Sequence, residues 1–173
     1  GRGAMIGMQR KILAGLLSGV VLSGFYVLST GSLVLNGTSS LPHTGYVMLR
    51  WPIVPLRGSY VAFQAPEAVD SRFQNFPFVK RVAGRPGDEI TSTDTRVCIE
   101  GDCRSLLGDL TAKGLRPLPN GKIGDNQYVV FGDAPDSLDS RYALIGTVAR
   151  SDILAVGFPV PIPHWTELSA WFQ

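Results

Sequence analysis

Apolar and polar positions alternate in short runs along most of the chain, after one long apolar stretch near its start. That stretch runs from Ile12 to Leu35 without a charged residue. Beyond residue 36, short runs rich in β-branched and aromatic residues recur between clusters of Gly, Pro and Asp. The six clearest runs are 46–51, 59–65, 78–84, 96–99, 127–132 and 153–158. This pattern predicts a mostly β fold, an antiparallel barrel or sandwich, over residues 36–162.

The long apolar stretch has the length of a membrane span. As a helix its 24 residues would extend about 36 Å, against a hydrocarbon core of roughly 30 Å. Arg10 and Lys11 precede it and the next charge is Arg50, so the positive-inside rule places residues 1–11 in the cytoplasm. We therefore expect a transmembrane anchor over 12–35. A cleaved secretory signal is the alternative, although its apolar region is usually shorter, about 7–15 residues.

Three further features of the chain ends bear on this topology. Residues 1–4 are typical of a cloning remnant. Gly15, Gly19 and Ser23 have the four-residue spacing of a helix-dimer face, which would allow self-association through the anchor. The tail 163–173 spaces four large apolar residues at near-helical intervals. That tail is either an interfacial helix resting on lipid headgroups or part of the protein core.

Composition and charge exclude several classes of function. A length of 173 residues suits one compact domain plus an appendage. The chain has 16 Lys and Arg against 14 Asp and Glu. Three of the basic residues precede the apolar stretch, so the remainder has 13 basic residues and no general attraction for nucleic acid. The two His and two Cys lack the spacing of a zinc site, and we expect no metal and no cofactor.

The two cysteines have a structural interpretation. Cys98 and Cys103 bracket the turn-forming tetrapeptide Ile-Glu-Gly-Asp between two short β runs. This spacing suits a disulfide across a small hairpin, provided that the compartment oxidises thiols. The predicted topology places them in such a compartment. Two unlinked cysteines are the alternative.

Three segments carry the chemistry: NGTSSLPHTGY at 36–46, FVKRVAGRPGDEI at 78–90 and VVFGDAPDSLDSRYALIG at 129–146. Together and in this order they resemble the type I signal peptidase superfamily, which are membrane-anchored Ser/Lys endopeptidases. The second segment is similar to that family's lysine box, and the third to its C-terminal box. The resemblance covers nearly the whole chain and is weak from 94 to 124. It implies the antiparallel β catalytic domain of that family.

The first segment most resembles the TraF-type branch, the conjugative-transfer signal peptidases that process pilin precursors. In that branch the nucleophile lies two residues before the proline, which is Ser40 here. The general signal peptidase pattern would select Ser39 instead. His43 and Thr44 stand where the branch has a single residue before Gly, so the local register leaves both serines open.

The resemblance implies that Lys80 is the general base for Ser40. A serine hydroxyl needs a positioned base, and no Ser-His-Asp triad is evident in the sequence. A lysine is neutral near pH 7 only if its pKa falls about three units from ~10.4, which burial can achieve. The residues around Lys80 suit this because several are apolar, whereas Arg81 should point to the opposite face of the strand. These apolar residues are Phe76, Phe78, Val79 and Val82.

The remaining site residues are also assigned through the resemblance. Ser137 would orient Lys80. The oxyanion would be held by the Ser40 backbone N–H and by the hydroxyl of Thr38. Asp139 would maintain the architecture of the site through Arg141, and a plain structural salt bridge is the alternative for this pair.

The sequence thus predicts a serine endopeptidase that cleaves signal-type sequences from membrane-bound precursors, with a pilin precursor as the expected substrate. By the positive-inside rule it would sit in a bacterial inner membrane with its catalytic domain in the periplasm. Because only four residues separate the apolar stretch from Ser40, the nucleophile would lie near the lipid surface. A housekeeping signal peptidase of broad range and a catalytically silent scaffold of an export or pilus assembly are the alternatives. A LexA-like repressor is excluded by the anchor and by the lack of a DNA-binding helix pair.

Overall fold

The computed structural model describes residues 12, 15–25, 29, 31–35, 45–50, 53–70 and 77–160. The chain divides into two compact units, Gly1–Ser32 and Leu33–Gln173. In the first unit residues 15–25 are helical, and the large apolar side chains among them are 58% to 70% exposed. No helix within the described ranges has both the length and the hydropathy that crossing a membrane requires.

The helical part of the predicted anchor ends before its expected boundary. Gly31–Leu35 form a β-strand, the first of the fold, so the prediction of one helix continuing to Leu35 is wrong for these five residues. Residues 29–31 are Ser, Thr and Gly. All three have lower helix propensity than the leucines before them, which is a local reason for the helix to stop here.

The described strands form two mainly antiparallel sheets. The larger sheet has seven strands in the order β1-β2-β11-β3-β4-β9-β10, and the smaller has four in the order β7-β6-β5-β8. The strands of the larger sheet are β1 (Gly31–Leu35), β2 (Gly45–Arg50), β3 (Tyr60–Phe63), β4 (Phe78–Gly84), β9 (Gln127–Phe131), β10 (Val148–Ala149) and β11 (Ile153–Val160). Those of the smaller sheet are β5 (Glu89–Thr93), β6 (Arg96–Ile99), β7 (Asp102–Ser105) and β8 (Gly121–Lys122). A short helix, Gly108–Ala112, and a 3₁₀ turn, Arg150–Asp152, complete the unit.

All six predicted strands are present, and the expected mostly β, antiparallel fold is confirmed. The fold also contains strands that the apolar pattern did not predict, namely β5, β7, β8 and β10 in addition to β1. β8 and β10 have only two residues each. β5 and β7 are dominated by polar and charged residues. Short or polar strands give little hydrophobic alternation, so pairing with their neighbours identifies them better than sequence does.

Strand β4 separates two apolar cores because side chains alternate across a strand. Val82 contributes to one core, together with Val61 from β3 and Val130 from β9. Ala83 contributes to the other, in which the larger sheet packs against Ile90 of β5 and other residues of the smaller sheet. The two ionisable residues of β4, Lys80 and Arg81, therefore lie on opposite faces of the strand.

Gly84 ends β4 at a point where the smaller sheet comes very close. The pairing of β4 with β9 shifts between Val82 and Gly84. A Cβ atom at Gly84 would lie 2.9 Å from Cγ2 of Ile99 and 3.2 Å from Cβ of Val129. Glycine is therefore required here by packing, since any side chain would push the second core away from the strand.

A tight turn then leads from β4 into the smaller sheet. The Asp88 N–H donates to the Arg85 carbonyl over 3.1 Å, with Pro86 and Gly87 between them and Gly87 at φ +88°, the arrangement of a type II turn. The Asp88 carboxylate accepts from the Arg85 N–H and from Arg57 Nη2 at 2.7 Å. Arg57 also donates to the Ala83 carbonyl at 2.7 Å, so this arginine holds the end of β4 against the turn.

The predicted disulfide is present. Cys98 and Cys103 face each other across β6 and β7, and their sulfurs are bonded at 2.07 Å. The two turn residues between the strands, Glu100 and Gly101, have φ of 48° and 87°. Positive φ at both central residues is typical of a two-residue hairpin turn whose twist matches that of the strands. The disulfide therefore closes a short hairpin of the smaller sheet.

Candidate active site

The candidate site is organised around Lys80, which lies in the middle of β4. Its side chain is only 7% exposed, although lysine is almost never buried without a partner. It lies on the same face of the strand as Phe78 and Val82, and its Nζ atom is 5.7 Å from the centre of the Phe78 ring. On the neighbouring strand, Val61 is opposite Lys80. Of the apolar neighbours expected from the sequence, Phe78 and Val82 are confirmed, whereas Val79 is wrong because it packs on the opposite face of the strand. Phe76 lies outside the described residues.

Lys80 has one close polar partner among the described residues, the hydroxyl of Ser137. The Nζ atom donates to Ser137 Oγ over 2.9 Å, and Ser137 is itself only 4% exposed. Ser137 follows β9, in a turn closed by its N–H donating to the Ala134 carbonyl. The contact joins two segments 57 positions apart, as the sequence resemblance implied.

Burial lowers the pKa of the Lys80 amine from its ordinary value. The Arg141 guanidinium acts in the same direction, whereas the carboxylates of Asp139, Asp136 and Asp133 oppose it. The net direction is downward because desolvation is the largest effect. The lysine therefore loses its proton more readily than one in water, which is the property a general base requires.

Asp139 and Arg141 form a fully buried ion pair next to this site, with 0% and 1% of their surfaces exposed. Nε of Arg141 is 2.9 Å from Oδ1 of Asp139, and Nη2 is 2.9 Å from Oδ2, a bidentate arrangement. Asp139 also accepts the backbone N–H of Gly132 at 2.7 Å. The remaining donors of Arg141 reach four carbonyl oxygens, those of Ser105, Gly132, Ala134 and Pro135.

This pair shapes the segment that presents Ser137. The Arg141 side chain lies inside the turn formed by residues 132–141, so the carbonyls of the turn converge on one cation. The contact expected between Asp139 and Arg141 exists, and its geometry fits both an architectural role for the site and a structural salt bridge.

Sequence reasoning missed several residues that support the site. Ser140 is buried and its hydroxyl accepts the N–H of Val130 at 3.1 Å, which fastens the turn to β9. The hydroxyl of Tyr142 accepts the N–H of Leu107 at 3.0 Å. Both residues belong to the DSRY motif, so the sequence could have indicated their importance. No sequence motif indicated Arg57, which holds the end of β4.

The other predicted residues lie outside the described part of the chain. These are Ser39, Ser40, Thr38 and His43, and the tail 163–173 is outside it as well. The roles assigned to the serines and to Thr38 therefore remain predictions. Among the residues that the structure describes, no group of three or more His, Cys, Asp or Glu side chains is arranged to hold a metal ion.

Fold and site together define a class of protein: an antiparallel β domain that buries a lysine amine against a serine hydroxyl. The family model described as "Signal peptidase, peptidase S26" matches residues 6–160. Because the match covers most of the chain, the protein belongs to the peptidase S26 signal peptidase family.

The chain is similar over part of its length to two known proteins. It is 32% identical over 114 residues to "Probable signal peptidase I-2" of Synechocystis sp. (strain PCC 6803), a match that covers 62% of this chain and 50% of that protein. The chain thus spans about half the length of this relative. A crystal structure of a signal peptidase I from Enterococcus faecalis V583 superposes with a TM-score of 0.39 at 24% identity, covering 61% of this chain and 98% of that one.

Proposed function

We propose that the protein is a serine endopeptidase that removes signal-type sequences from exported precursors, with Ser40 as nucleophile and Lys80 as general base. The observation that carries the proposal is the buried Lys80 amine, whose close contact is a serine hydroxyl at 2.9 Å. A scaffold protein would have no need to bury an amine in this way, since burial lowers the pKa of Lys80 and destabilises its charged form. Membership of the peptidase S26 family supports the same activity.

The proposed reaction is acyl transfer. Ser40 Oγ bonds to the carbonyl carbon of the substrate while its proton passes to Lys80 Nζ. The C–N bond of the tetrahedral intermediate then breaks, and Lys80 returns the proton to the leaving amine. Water resolves the acyl-enzyme in the same way, giving its proton to Lys80, which passes it back to Ser40. The Ser40 N–H and the Thr38 hydroxyl would hold the developing oxyanion.

Ser137 fits the role of orienting Lys80. A neutral amine must direct its lone pair at the nucleophile, and the hydrogen bond to Ser137 uses one of its protons. Ser137 is in turn held by the segment that wraps the Asp139–Arg141 pair. We assign Asp139 and Arg141 to maintaining this segment and not to contact with substrate.

We further propose that the uncharged apolar segment between Lys11 and β1 anchors the enzyme in the bacterial inner membrane with its catalytic domain in the periplasm. The absence of charge over this segment supports an anchor, and so does the exposure of apolar side chains such as Val20 and Phe25, each 70% exposed. The short distance in sequence from this segment to Ser40 would bring the nucleophile close to the lipid surface, where a membrane-bound precursor is cut.

For the substrate we propose a pilin precursor of a conjugative system, on the strength of the Ser-Leu-Pro motif around Ser40. A housekeeping role with many preproteins fits no worse, because the similarity to "Probable signal peptidase I-2" favours a general signal peptidase. The two differ in substrate breadth. Incubation with a pilin precursor and with several unrelated preproteins separates them, since cleavage of the whole set contradicts the dedicated role.

Mass spectrometry of a co-expressed pilin precursor tests the activity itself. Ser40→Ala and Lys80→Met should each abolish processing, whereas Ser39→Ala and the exposed-lysine control Lys122→Met should retain it. Loss in Ser39→Ala with activity in Ser40→Ala would move the nucleophile by one residue. Processing that survives both Ser40→Ala and Lys80→Met would favour the scaffold interpretation.

A further inference from the structure

An open apolar groove lies at one end of the larger sheet. It has a volume of about 370 Å³, within the range of pockets that bind ligands or peptide side chains. Neither Lys80 nor Ser137 lines it, so the groove is separate from the site described above. Its lining comes from the segment before β3, the turn after β4 and the start of β9: Val54, Pro55, Leu56, Arg85, Pro86 and Tyr128.

Two of the lining side chains are exposed to an extent that is unusual for their type. Val54 is 61% exposed and Leu56 is 56% exposed, the highest values for large apolar residues in the described chain from residue 31 onwards. The backbone beneath them is fixed. The Ser59 N–H donates to the Leu56 carbonyl over 3.0 Å, and Arg57 Nη1 donates to the Ala83 carbonyl over 2.7 Å. Neighbouring apolar side chains held exposed in this way indicate a docking surface.

The groove has an available cation at its rim. Arg85 is exposed, and its side chain forms no ion pair or hydrogen bond with another described residue. Arg57, which follows Leu56, is already paired with Asp88 at 2.7 Å. The groove therefore suits an occupant that combines large apolar side chains with a carboxylate.

The last strand of the fold ends close to this groove. β11 runs antiparallel to β3, with Gly157 opposite Tyr60, the first residue of β3. β11 continues beyond Gly157 as far as Val160, toward the end of the sheet where segment 54–59 leads into β3. Only β3 separates β11 from β4, so the end of β11 and the turn after β4 are roughly 10 Å apart at a strand spacing of about 4.8 Å.

The sequence that follows β11 has the composition that the groove suits. Residues 161–173 contain four large apolar side chains, one carboxylate and no Lys or Arg. Trp165, Leu168 and Phe172 have the i, i+3, i+7 spacing with which a helix fills an apolar groove. The carboxylate is that of Glu167. Residues 161–164 span about 13 Å when extended, which is enough to reach the groove from Val160.

We propose that segment 163–173 docks in this groove of its own chain, with its apolar side chains on Val54 and Leu56 and with Glu167 facing Arg85. The segment lies outside the described residues. The end point of β11, the reach of the linker and the complementary charge support the proposal. A lipid surface is the competing occupant, but helices that rest on headgroups are rich in Lys and Arg, which 161–173 lacks.

Photocrosslinking in the full-length protein tests this docking. The probe p-benzoylphenylalanine replaces Leu56, and Val54 in a second variant in case the first does not fold, which thermal melting checks. After irradiation in a bilayer of phosphatidylethanolamine and phosphatidylglycerol, mass spectrometry identifies what is joined to the probe. We expect a product with residues 163–173 of the same chain. The control places the probe at Asp94, exposed in the turn between β5 and β6, where this product should be lost.

Charge variants test the contact between Glu167 and Arg85. Arg85→Glu should lower the ratio of docked to undocked segment by up to about fivefold, which corresponds to roughly 1 kcal/mol for a partly exposed ion pair. Exchanging the charges in Arg85→Glu with Glu167→Arg should restore the crosslink yield. Lys113→Glu, at another exposed cation, is the matched control and should leave the yield unchanged. A yield that responds equally to Arg85→Glu and Lys113→Glu contradicts the assigned contact.

Every other occupant gives a different product. Mixing isotopically light and heavy protein separates crosslinks within one chain from crosslinks between two chains. A product with a second copy, with lipid or with segment 36–44 overturns the proposal, as does equal crosslinking from Asp94 or the absence of any product. The crosslinks are scored without a precursor, so the result does not depend on the proposed function. A docked segment in a protein that cleaves no precursor would refute the proposed function alone.

Discussion

The two ionic clusters of this protein differ in how they meet water. The Asp139–Arg141 pair is 0% to 1% exposed, and six further hydrogen bonds satisfy it, two donated by backbone N–H groups to Asp139 and four accepted by carbonyl oxygens from Arg141. In the ring formed by Arg81, Asp102, Arg104 and Asp133, the side chains are 22% to 33% exposed. Both clusters have zero formal charge, yet only the ring has easy access to solvent.

This difference in solvent exposure indicates which cluster can be altered without unfolding the protein. Removing one partner of a buried pair leaves an uncompensated charge in a medium that cannot solvate it. In a half-exposed ring, water and salt replace much of what a lost partner provided. We therefore expect the buried pair to contribute much to the stability of the fold and the ring to contribute little.

The largest effect is expected for the buried pair. Asp139→Asn should reduce the free energy of unfolding by about 3–5 kcal/mol, because Arg141 would keep its charge without its counterion. Urea denaturation measures this loss. Asp152→Asn, at an exposed carboxylate, is the matched control. A loss below about 1 kcal/mol would show that the carbonyl oxygens around Arg141 suffice to hold the cation.

Opening the disulfide is expected to have the next largest effect, on the ring side of the molecule. The double substitution Cys98→Ala with Cys103→Ala should reduce the free energy of unfolding by about 2 kcal/mol, since a loop this short gains little closure entropy from a crosslink. Denaturant melts in the oxidised state give the value. Comparison with reduced wild-type protein separates loss of the crosslink from loss of the sulfur atoms. Equal stability of the oxidised and reduced protein would contradict the prediction.

Removing the hydroxyl beside the lysine should have a smaller effect on stability and a clear effect on titration. Ser137→Ala should reduce the free energy of unfolding by about 1 kcal/mol, the net value of a typical hydrogen bond. An ammonium is a stronger donor than an amine, so loss of the acceptor lowers the pKa of Lys80 further and moves its titration to lower pH. Acetylation of Lys80 across pH measures the shift, with the exposed Ser151→Ala as control. A titration displaced to higher pH would indicate that water enters the vacated space.

The smallest stability effect is expected in the ring. Asp102→Asn should reduce the free energy of unfolding by less than about 1 kcal/mol in dilute buffer, and by still less in 1 M salt, because partly exposed pairs are screened. The loss in Asp139→Asn should change little with salt. If salt affected both variants equally, the distinction between the two clusters would fail.

Some elements of this structure could be predicted from the sequence and others could not. Strands rich in Val, Ile and aromatic residues, such as β4 and β9, were predictable because they alternate or lie wholly in the core. β7, which reads Asp-Cys-Arg-Ser, was not, because its polar side chains bond to residues far away in the chain. The end of the predicted anchor was misplaced because apolar composition does not separate a helix from the strand Gly31–Leu35.

Within the site, the residues of the two sequence motifs were identified and their contacts were found. Lys80, Ser137, Asp139 and Arg141 lie in motifs whose residue types are specific. The ring was not predictable from these motifs, although Arg81 and Asp133 belong to them. Asp102 and Arg104 lie in the stretch where the resemblance is weak, and nothing in the sequence links them to Lys80.

The chain by itself determined which residues are apolar, where the backbone can turn at Gly87 and Gly101, and which side chains can accept or donate a proton, because these are properties of single residues and near neighbours. Only the tertiary structure decided that the Lys80 amine is buried against Ser137 and that β7 supplies the charges behind it. Burial and electrostatic fields are set by groups that are distant in sequence and adjacent in space, so they arise only when the two sheets pack together.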